Sequence, residues 1–209
     1  MAEALPPPPS IAFLQQLGPQ LHVLHDGAEL WRLHFTAGAH PGAWNEFRHF
    51  GPTSARFDHH DGPKGAHPEQ AILYGAEQGR TCLAEVYQEG SEIDKTRHSP
   101  HLAAFKLCKP LALLDVTGGW ITRAGGNMAI GSGSRRQARA WSRAIYAAYP
   151  DVQGIRYASS VDSNAPAVAL YERAKPALPS TPVFDRPLGH PGLAGIIADT
   201  CQTLGYKLS

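Results

Sequence analysis

The sequence predicts a single domain of the α+β class. The chain has 209 residues, of which 43% are hydrophobic. This length is close to that of one domain, and the hydrophobic share is ordinary for a globular protein. Segment 29–35 has the alternation of a strand, and segment 134–149 has the pattern of an amphipathic helix. Further strand and helix patterns follow one another without regular β-α-β alternation, which favours α+β over a doubly wound sheet.

The first ten residues predict a flexible, Pro-rich segment. Pro6 to Pro9 are consecutive prolines, which favour an extended and solvated polyproline conformation outside the core. A short helix is expected at Ile11 to Leu17. Residues 11–209 are therefore expected to form the single folded domain.

The first strong element is a strand from Glu29 to Phe35. The apolar set of Trp31, Leu33 and Phe35 alternates with a second set, Leu30, Arg32 and His34. We expect the Trp31 face to be buried and Arg32 and His34 to share the other face. The next segment, 36–68, is rich in Gly, Pro, His and Asp. It predicts a long loop, and such loops in small domains are usually functional or mobile.

The clearest helix runs from Ser134 to Tyr149. Ser134 and Gln137 have the spacing of a capping box, and Pro150 follows the last residue. The expected apolar stripe consists of Ala138, Trp141, Ile145 and Ala148. The other predicted elements are a strand or helix start at Ala71 to Ala76, a short helix at Thr81 to Gln88 capped by Thr81, strand-length runs at Ala103 to Leu107 and Leu111 to Val116, strands at Gly154 to Ser159 and Val168 to Tyr171, and a final helix at Leu193 to Leu204.

Composition excludes several classes of function. With 19 Lys+Arg against 18 Asp+Glu, the chain has no basic surplus for nucleic-acid or membrane-surface binding. Three scattered cysteines without a CxxC pair indicate a reducing cytoplasm. No secretory signal or membrane-length apolar run is present. The histidines lack HExxH or His-x-His spacing, so no metal site is expected.

Two arginines are candidates for anion binding. Arg32 lies on the predicted Trp31 strand, and Arg56 stands between Ala55 and Phe57 in the long loop. A guanidinium offers two parallel donors that match phosphate or carboxylate oxygens. A salt bridge or a solvated loop position is the alternative for each.

The sequence pattern does not settle the roles of Glu85 and of the glycine-rich segment 131–134. At helical spacing, Glu85 points away from Leu83, Val86 and Tyr87. It is either a solvated helix carboxylate or one presented into a cleft, and periodicity does not choose between them. Segment 131–134 precedes a helix and suits either an anion nest or a flexible connection.

In chain order, several of these segments resemble the RES-domain family, the toxin half of many bacterial toxin–antitoxin pairs, named for Arg, Glu and Ser. The resemblance covers residues from about 29 to 175. The segments that carry it are Leu30-Trp31-Arg32-Leu33-His34, Ser54-Ala55-Arg56-Phe57 with Ala55 in place of the usual glycine, Tyr74, Cys82-Leu83-Ala84-Glu85-Val86, Leu114-Asp115-Val116-Thr117, and Gly154-Ile155-Arg156-Tyr157-Ala158-Ser159 with Ala158 where proline is frequent.

The resemblance implies an ADP-ribosyltransferase-like fold with a mixed, split sheet flanked by helices. It implies cleavage of the nicotinamide–ribose bond of NAD+ by hydrolysis or phosphorolysis, with inorganic phosphate as co-substrate in the second case. Glu85 would bind the ribose hydroxyls and stabilise the oxocarbenium-like charge. Arg32 and Arg56 would hold the pyrophosphate. No cofactor is implied beyond NAD+ as substrate.

The resemblance also assigns roles to Tyr74, which would stack on nicotinamide, and to Ser159, which would place a hydroxyl against the substrate. Ser160 takes that role if the register differs by one. The implied catalytic residues are thus Glu85, Arg32 and Ser159, and the implied partner is a helix-turn-helix antitoxin. Two alternatives stay open: an ADP-ribosyltransferase that modifies a protein or nucleic acid, and a catalytically silent protein-interaction module.

Overall fold

An eight-stranded sheet of mixed direction forms the centre of the protein in the computed structural model, which describes residues 4–209. Residues 1–3 of the predicted N-terminal segment lie outside the described residues. The strands are β1 (Leu21–Leu24), β2 (Glu29–Phe35), β3 (Phe50–Gly51), β4 (Gly65–Ala66), β5 (Ile72–Ala76), β6 (Glu92–Ile93), β7 (Pro100–Lys106), β8 (Leu111–Asp115), β9 (Gly154–Ala158), β10 (Pro166–Tyr171), β11 (Phe184–Pro187) and β12 (Lys207–Leu208). The α-helices are α1 (Ile11–Leu17), α2 (Gly79–Val86), α3 (Trp120–Arg123), α4 (Ala129–Ser132), α5 (Arg135–Ala148) and α6 (Ala194–Leu204), and short 3-10 turns span Pro68–Gln70, Glu172–Ala177 and Pro191–Leu193.

The strand order of the large sheet is β1-β8-β9-β10-β5-β2-β7-β11. Only β8 and β9 pair in parallel, while the other neighbours in this sheet are antiparallel. Because helices and strands do not alternate and most neighbours are antiparallel, the predicted α+β class is confirmed.

The sheet is split between β2 and β5. These strands pair at one residue pair only, Trp31 with Ala76, whereas β2 and β7 pair along seven positions. Two glycines permit the close approach. A Cβ on Gly75 would lie 2.8 Å from the carbonyl oxygen of Trp31, and one on Gly79 would lie 2.9 Å from its ring. We call the gap that opens from this single pair the fork.

Both faces of β2 are covered, which corrects the expectation of one buried face. Trp31 packs against the core that includes α2, α5 and α6. On the opposite face Leu30 is fully buried in a second core with Trp44 and Phe105, and His34 is only 5% exposed. The long loop that follows β2 supplies Trp44, so a segment without regular pattern completes the second core.

Helix α5 matches its prediction. The side chain of Ser134 accepts a hydrogen bond from the backbone N–H of Gln137 at 3.4 Å. The four predicted stripe residues are buried. Stripe residue Trp141 donates through Nε1 to the carbonyl oxygen of Pro6 at 2.8 Å, and Leu5 is only 3% exposed. The prediction of a solvated N-terminal segment is therefore wrong at these two positions, because an apolar side chain and an indole donor anchor them.

Helix α2 begins earlier than predicted, and Thr81 does not cap it. The residue before its first turn is Gln78, whose side chain makes no capping bond. Thr81 is buried inside the helix and donates its hydroxyl to Asp162 Oδ2 at 2.7 Å. The missing Cβ of Gly79 lets the helix start against the Trp31 ring, an approach that propensity does not encode. Segment 71–76, which the sequence left open, contains strand β5.

Among residues 4–209, the longest helix has 14 residues. No helix in this part of the chain is long and apolar enough to cross a membrane.

Candidate active site

A pocket of about 400 Å³ opens at the fork, within the range of small-molecule sites. Strands β2 and β5, helix α2, the loop before β4 and the first residue of α5 all contribute to it. It is lined by Leu33, Ala55, Arg56, Tyr74, Gly75, Cys82, Glu85, Val86, Gln88, Glu89, Arg135 and Tyr157.

Glu85 is the carboxylate that both lines this pocket and is fixed from behind. Its Oε1 accepts a hydrogen bond from the Ser159 hydroxyl at 2.6 Å, and its Oε2 accepts one from the Tyr157 hydroxyl at 3.3 Å. Two donors on β9 and the turn after it thus hold one side chain of α2. This contact decides between the two sequence-based interpretations of Glu85: it is a carboxylate presented to a cleft.

Tyr157 is held in its neutral, donating form. Burial, and then the charge of Glu85, raise its pKa well above the ordinary value for tyrosine. A phenol that keeps its proton donates to the carboxylate and leaves the negative charge on Glu85.

Ser159 is buried behind Glu85 and does not line the pocket. It is 0% exposed, and its Oγ accepts hydrogen bonds from the backbone N–H groups of Val161 and Asp162 at 3.3 and 3.2 Å. These bonds aim its proton at Glu85. Ser160, the alternative in the sequence, is exposed and lines a separate small pocket. Neither serine hydroxyl therefore faces the fork pocket.

Two guanidinium groups converge at the mouth of the pocket. Arg56 donates through Nη1 to the carbonyl oxygen of Gly133 at 2.8 Å, and Arg135 reaches Gln88 and Glu89 at 3.4 and 3.3 Å. Burial, and then the charge of Arg135, lower the pKa of Arg56. Neighbouring guanidinium groups offer paired N–H donors of the kind that bind phosphate or carboxylate oxygens. The sequence did not single out Arg135; its place in the first turn after the glycine-rich segment was the available signal.

The loop that carries Arg56 is held by a buried carboxylate, Asp58. Its Oδ1 pairs with His60 Nδ1 at 2.6 Å, and its Oδ2 accepts from the backbone and hydroxyl of Thr53 and lies 3.0 Å from Arg48 Nη1. Burial alone would raise the pKa of Asp58, but hydrogen bonds from His60 and Thr53 and the charge of Arg48 outweigh it and place the pKa well below the ordinary range. No sequence pattern marked this network, because its members come from an irregular loop.

Tyr74 lines the pocket from β5, as the resemblance implied. Its hydroxyl accepts a hydrogen bond from the backbone N–H of Phe57 at 3.1 Å, and burial raises its pKa. The phenol end is therefore anchored to the Arg56 loop, and the ring is available to the cavity.

Arg32 is not among the residues that line the pocket, although its neighbour Leu33 is. Burial lowers the pKa of Arg32 to about 10, with Glu46 as the first opposing charge. Its Nη1 is buried and has no hydrogen-bond partner within residues 4–209. The structure thus brings Glu85, Arg56 and Tyr74 together at the pocket, places Ser159 behind Glu85, and leaves Arg32 outside the lining.

Cys82 lines the pocket as a neutral thiol. Burial raises its pKa to about 12, and its Sγ donates to the carbonyl oxygen of Trp31 at 2.9 Å. A protonated, hydrogen-bonded thiol is a poor nucleophile.

The fold is a mixed α+β fold whose split sheet carries a hydrogen-bonded glutamate and two arginines at its fork. The family model described as the RES domain matches residues 29–189. The chain therefore belongs to the RES-domain family, as the sequence resemblance implied.

A solved structure supports the same fold. The crystal structure of the M. tuberculosis MbcT–MbcA toxin–antitoxin complex contains a chain that is 14% identical, with a TM-score of 0.56; the match covers 84% of the present chain and 90% of that one. At this identity, the likeness is one of fold. A comparison with curated proteins finds no match.

Proposed function

We propose that this protein is the NAD+-consuming toxin of a toxin–antitoxin pair and cleaves the nicotinamide–ribose bond. The observation that carries the proposal is the Glu85 carboxylate, held by two hydroxyl donors and presented to a pocket whose mouth carries Arg56 and Arg135. An anion-binding pair beside a fixed carboxylate suits a substrate that joins a pyrophosphate to a ribose bearing a cationic leaving group.

Glu85 acts where positive charge develops. In the reaction the bond between ribose C1′ and the nicotinamide nitrogen breaks, and its electron pair neutralises the pyridinium. The ribose becomes oxocarbenium-like, and the Glu85 carboxylate stabilises this charge and binds the ribose hydroxyls. Water or phosphate then bonds to C1′, and water releases one proton as it does so. Ser159 and Tyr157 are positioning residues, because they contact Glu85.

The arginines and Tyr74 bind the parts of NAD+ that do not react. Arg56 and Arg135 hold the pyrophosphate by paired N–H donors, so that remote binding energy orients the scissile bond. Tyr74 supplies a ring for the nicotinamide. Arg32 is retained as a pyrophosphate ligand on two grounds. One is the family resemblance, and the other is its buried Nη1, which has no hydrogen-bond partner among residues 4–209.

The biological role follows from family membership. We assign the protein to the cytoplasm, where NAD+ is consumed until an antitoxin with a helix-turn-helix domain neutralises it. The similarity in fold to a chain of the MbcT–MbcA toxin–antitoxin complex supports an antitoxin partner, and its helix-turn-helix domain rests on the family resemblance alone. With a net charge of +1, direct nucleic-acid binding is not part of the proposal.

The decisive experiment is incubation of the purified protein with NAD+, with and without phosphate, followed by identification of the products. Free nicotinamide with ADP-ribose indicates hydrolysis, and nicotinamide with a phosphorylated ADP-ribose indicates phosphorolysis. ADP-ribose attached to a protein or nucleic acid would replace the proposal by a transferase. Intact NAD+ under all conditions would replace it by a silent interaction module.

A further inference from the structure

Three side chains from three neighbouring strands converge near one edge of the sheet. His34 on β2 pairs across the ladder with His101 on β7, and Asp185 lies on the edge strand β11. Asp185 Oδ1 is 3.0 Å from His34 Nε2 and 3.1 Å from His101 Nδ1. All three ligand-type atoms lie within 4.8 Å of one another. None of these residues lines the fork pocket.

The protonation of His34 is restricted by the backbone. Its Nδ1 lies 2.9 Å from the carbonyl oxygen of Gly42, and a carbonyl only accepts, so Nδ1 carries a proton. In neutral His34 the Nε2 atom then has a lone pair that faces the Asp185 carboxylate at 3.0 Å. A metal ion bound to both atoms satisfies this contact. The His34 side chain is buried, with 5% exposure.

The arrangement around His34 is that of a metal ligand. A histidine that binds a metal through one nitrogen usually donates the other N–H to a carbonyl or carboxylate, which fixes its orientation. Gly42 supplies that acceptor. The His101 Nδ1 atom is a third ligand-type atom, 3.1 Å from the same carboxylate oxygen.

The two histidine-to-carboxylate distances fit a small divalent ion. Bonds of about 2.0–2.1 Å to nitrogen and oxygen place neighbouring ligand atoms roughly 3.0–3.4 Å apart, for octahedral and tetrahedral angles respectively. The two distances to Asp185 Oδ1 are 3.0 and 3.1 Å. The side chains of His101 and Asp185 are 25% and 26% exposed, so an ion and its water ligands have access from solvent.

We propose that His34, His101 and Asp185 form a binding site for a divalent first-row transition metal ion such as Zn²⁺, completed by water. The ion ties edge strand β11 to β2 and β7, and through Gly42 it also holds the loop that follows β2. The site is separate from the fork pocket and independent of NAD+ chemistry. Histidine spacing gave no sign of it because its ligands lie on three strands and up to 151 residues apart in the chain.

The test is a titration of metal-free protein with Zn²⁺, using calorimetry and a competing chromophoric chelator. The parent is expected to bind one Zn²⁺ per chain with a rise in melting temperature. The His101→Ala and Asp185→Ala variants are each expected to bind Zn²⁺ at least ~10–100-fold more weakly than the parent. Loss of a residue that only hydrogen-bonds to a metal ligand typically weakens binding by this factor, and loss of a ligand itself weakens it by no less. His25→Ala, which removes an exposed histidine outside the cluster, is the matched control and is expected to bind like the parent.

A second measurement replaces Zn²⁺ by Co²⁺. A visible absorption band of low-coordinate Co²⁺ or a shift of its ligand-field bands is expected in the parent and the His25→Ala control and not in His101→Ala. Absence of saturable Zn²⁺ binding by the parent would overturn the proposal and leave the three side chains as a hydrogen-bonded cluster. Equal binding by parent and His101→Ala would overturn it as well, because the ion would then sit elsewhere.

Discussion

Glu85→Gln is expected to remove most of the activity and to leave the fold intact. The Ser159 hydroxyl already accepts two backbone N–H bonds, so its proton must be donated to residue 85. A glutamine therefore turns its carbonyl oxygen to Ser159 and its amide N–H to Tyr157, whose hydroxyl accepts it. Both contacts survive, but they change from charge-assisted to neutral.

The magnitudes follow from this exchange. A charge-assisted hydrogen bond contributes about 1.5–3 kcal/mol and a neutral one about 0.5–1.5 kcal/mol, so the variant loses about 2–3 kcal/mol of stability over the two bonds. The loss of negative charge beside the developing cation is larger in effect, about 10²–10³ in kcat.

The assay compares NAD+ consumption and denaturant unfolding for the parent, Glu85→Gln and Glu89→Gln. Glu89 also lines the pocket, but its side chain is 83% exposed, so its amide variant is expected to behave like the parent. Comparable turnover of the Glu85→Gln and parent proteins, with similar stability, would refute the role of the Glu85 charge.

Four further outcomes are expected. Ser159→Ala lowers kcat about tenfold with little change in KM, equivalent to ~1.4 kcal/mol from one lost bond to Glu85, and an altered KM alone would contradict a positioning role. Arg56→Lys lowers kcat/KM at least ~10-fold because an ammonium lacks the paired donors of a guanidinium. Arg32→Lys is measured alongside, and parent-like kinetics of that variant would assign the anion site to Arg56 and Arg135 alone. Asp58→Asn lowers the free energy of unfolding by about 3 kcal/mol at neutral pH. Since the folded-state pKa of Asp58 is lowered, the stability difference between parent and variant is complete above the ordinary aspartate pKa range and shrinks as the pH falls through that range toward the lowered pKa. A stability difference that does not change with pH in denaturant unfolding would contradict the assignment. Expression without a partner arrests bacterial growth together with a fall in cellular NAD+, and arrest at unchanged NAD+ would exclude this mechanism.

The regular elements could be predicted because their local patterns agree with the fold. Helix α5 has its cap and stripe in the sequence, and the alternation in β2 marks a strand. The faces of β2 could not be assigned, because the loop after it covers the second face with Trp44. The start of α2 was missed since Gly79 acts through its closeness to Trp31, which is a tertiary contact.

The candidate site could be predicted in part. Pattern alone left Glu85 undecided, and only the family resemblance pointed it at a cleft. The contact from Ser159 to Glu85 crosses 74 residues, and the partnership of Arg56 with Arg135 joins an irregular loop to a helix start. Contacts between residues so far apart in the chain produce no periodic sequence pattern. The arrangement of the site residues could therefore be seen only in the three-dimensional structure.

The single pair that joins the two parts of the sheet has a consequence for how inactivating mutations are interpreted. Gly75 and Gly79 carry no chemistry, yet a methyl group on either would meet Trp31 at 2.8–2.9 Å. The width of the cleft thus depends on two positions, Gly75 and Gly79, that must have no side chain. In a survey of escape variants that survive this protein's expression, alanine at Gly75 or Gly79 would register as loss of function beside changes at Glu85, although neither glycine offers a functional group to the substrate.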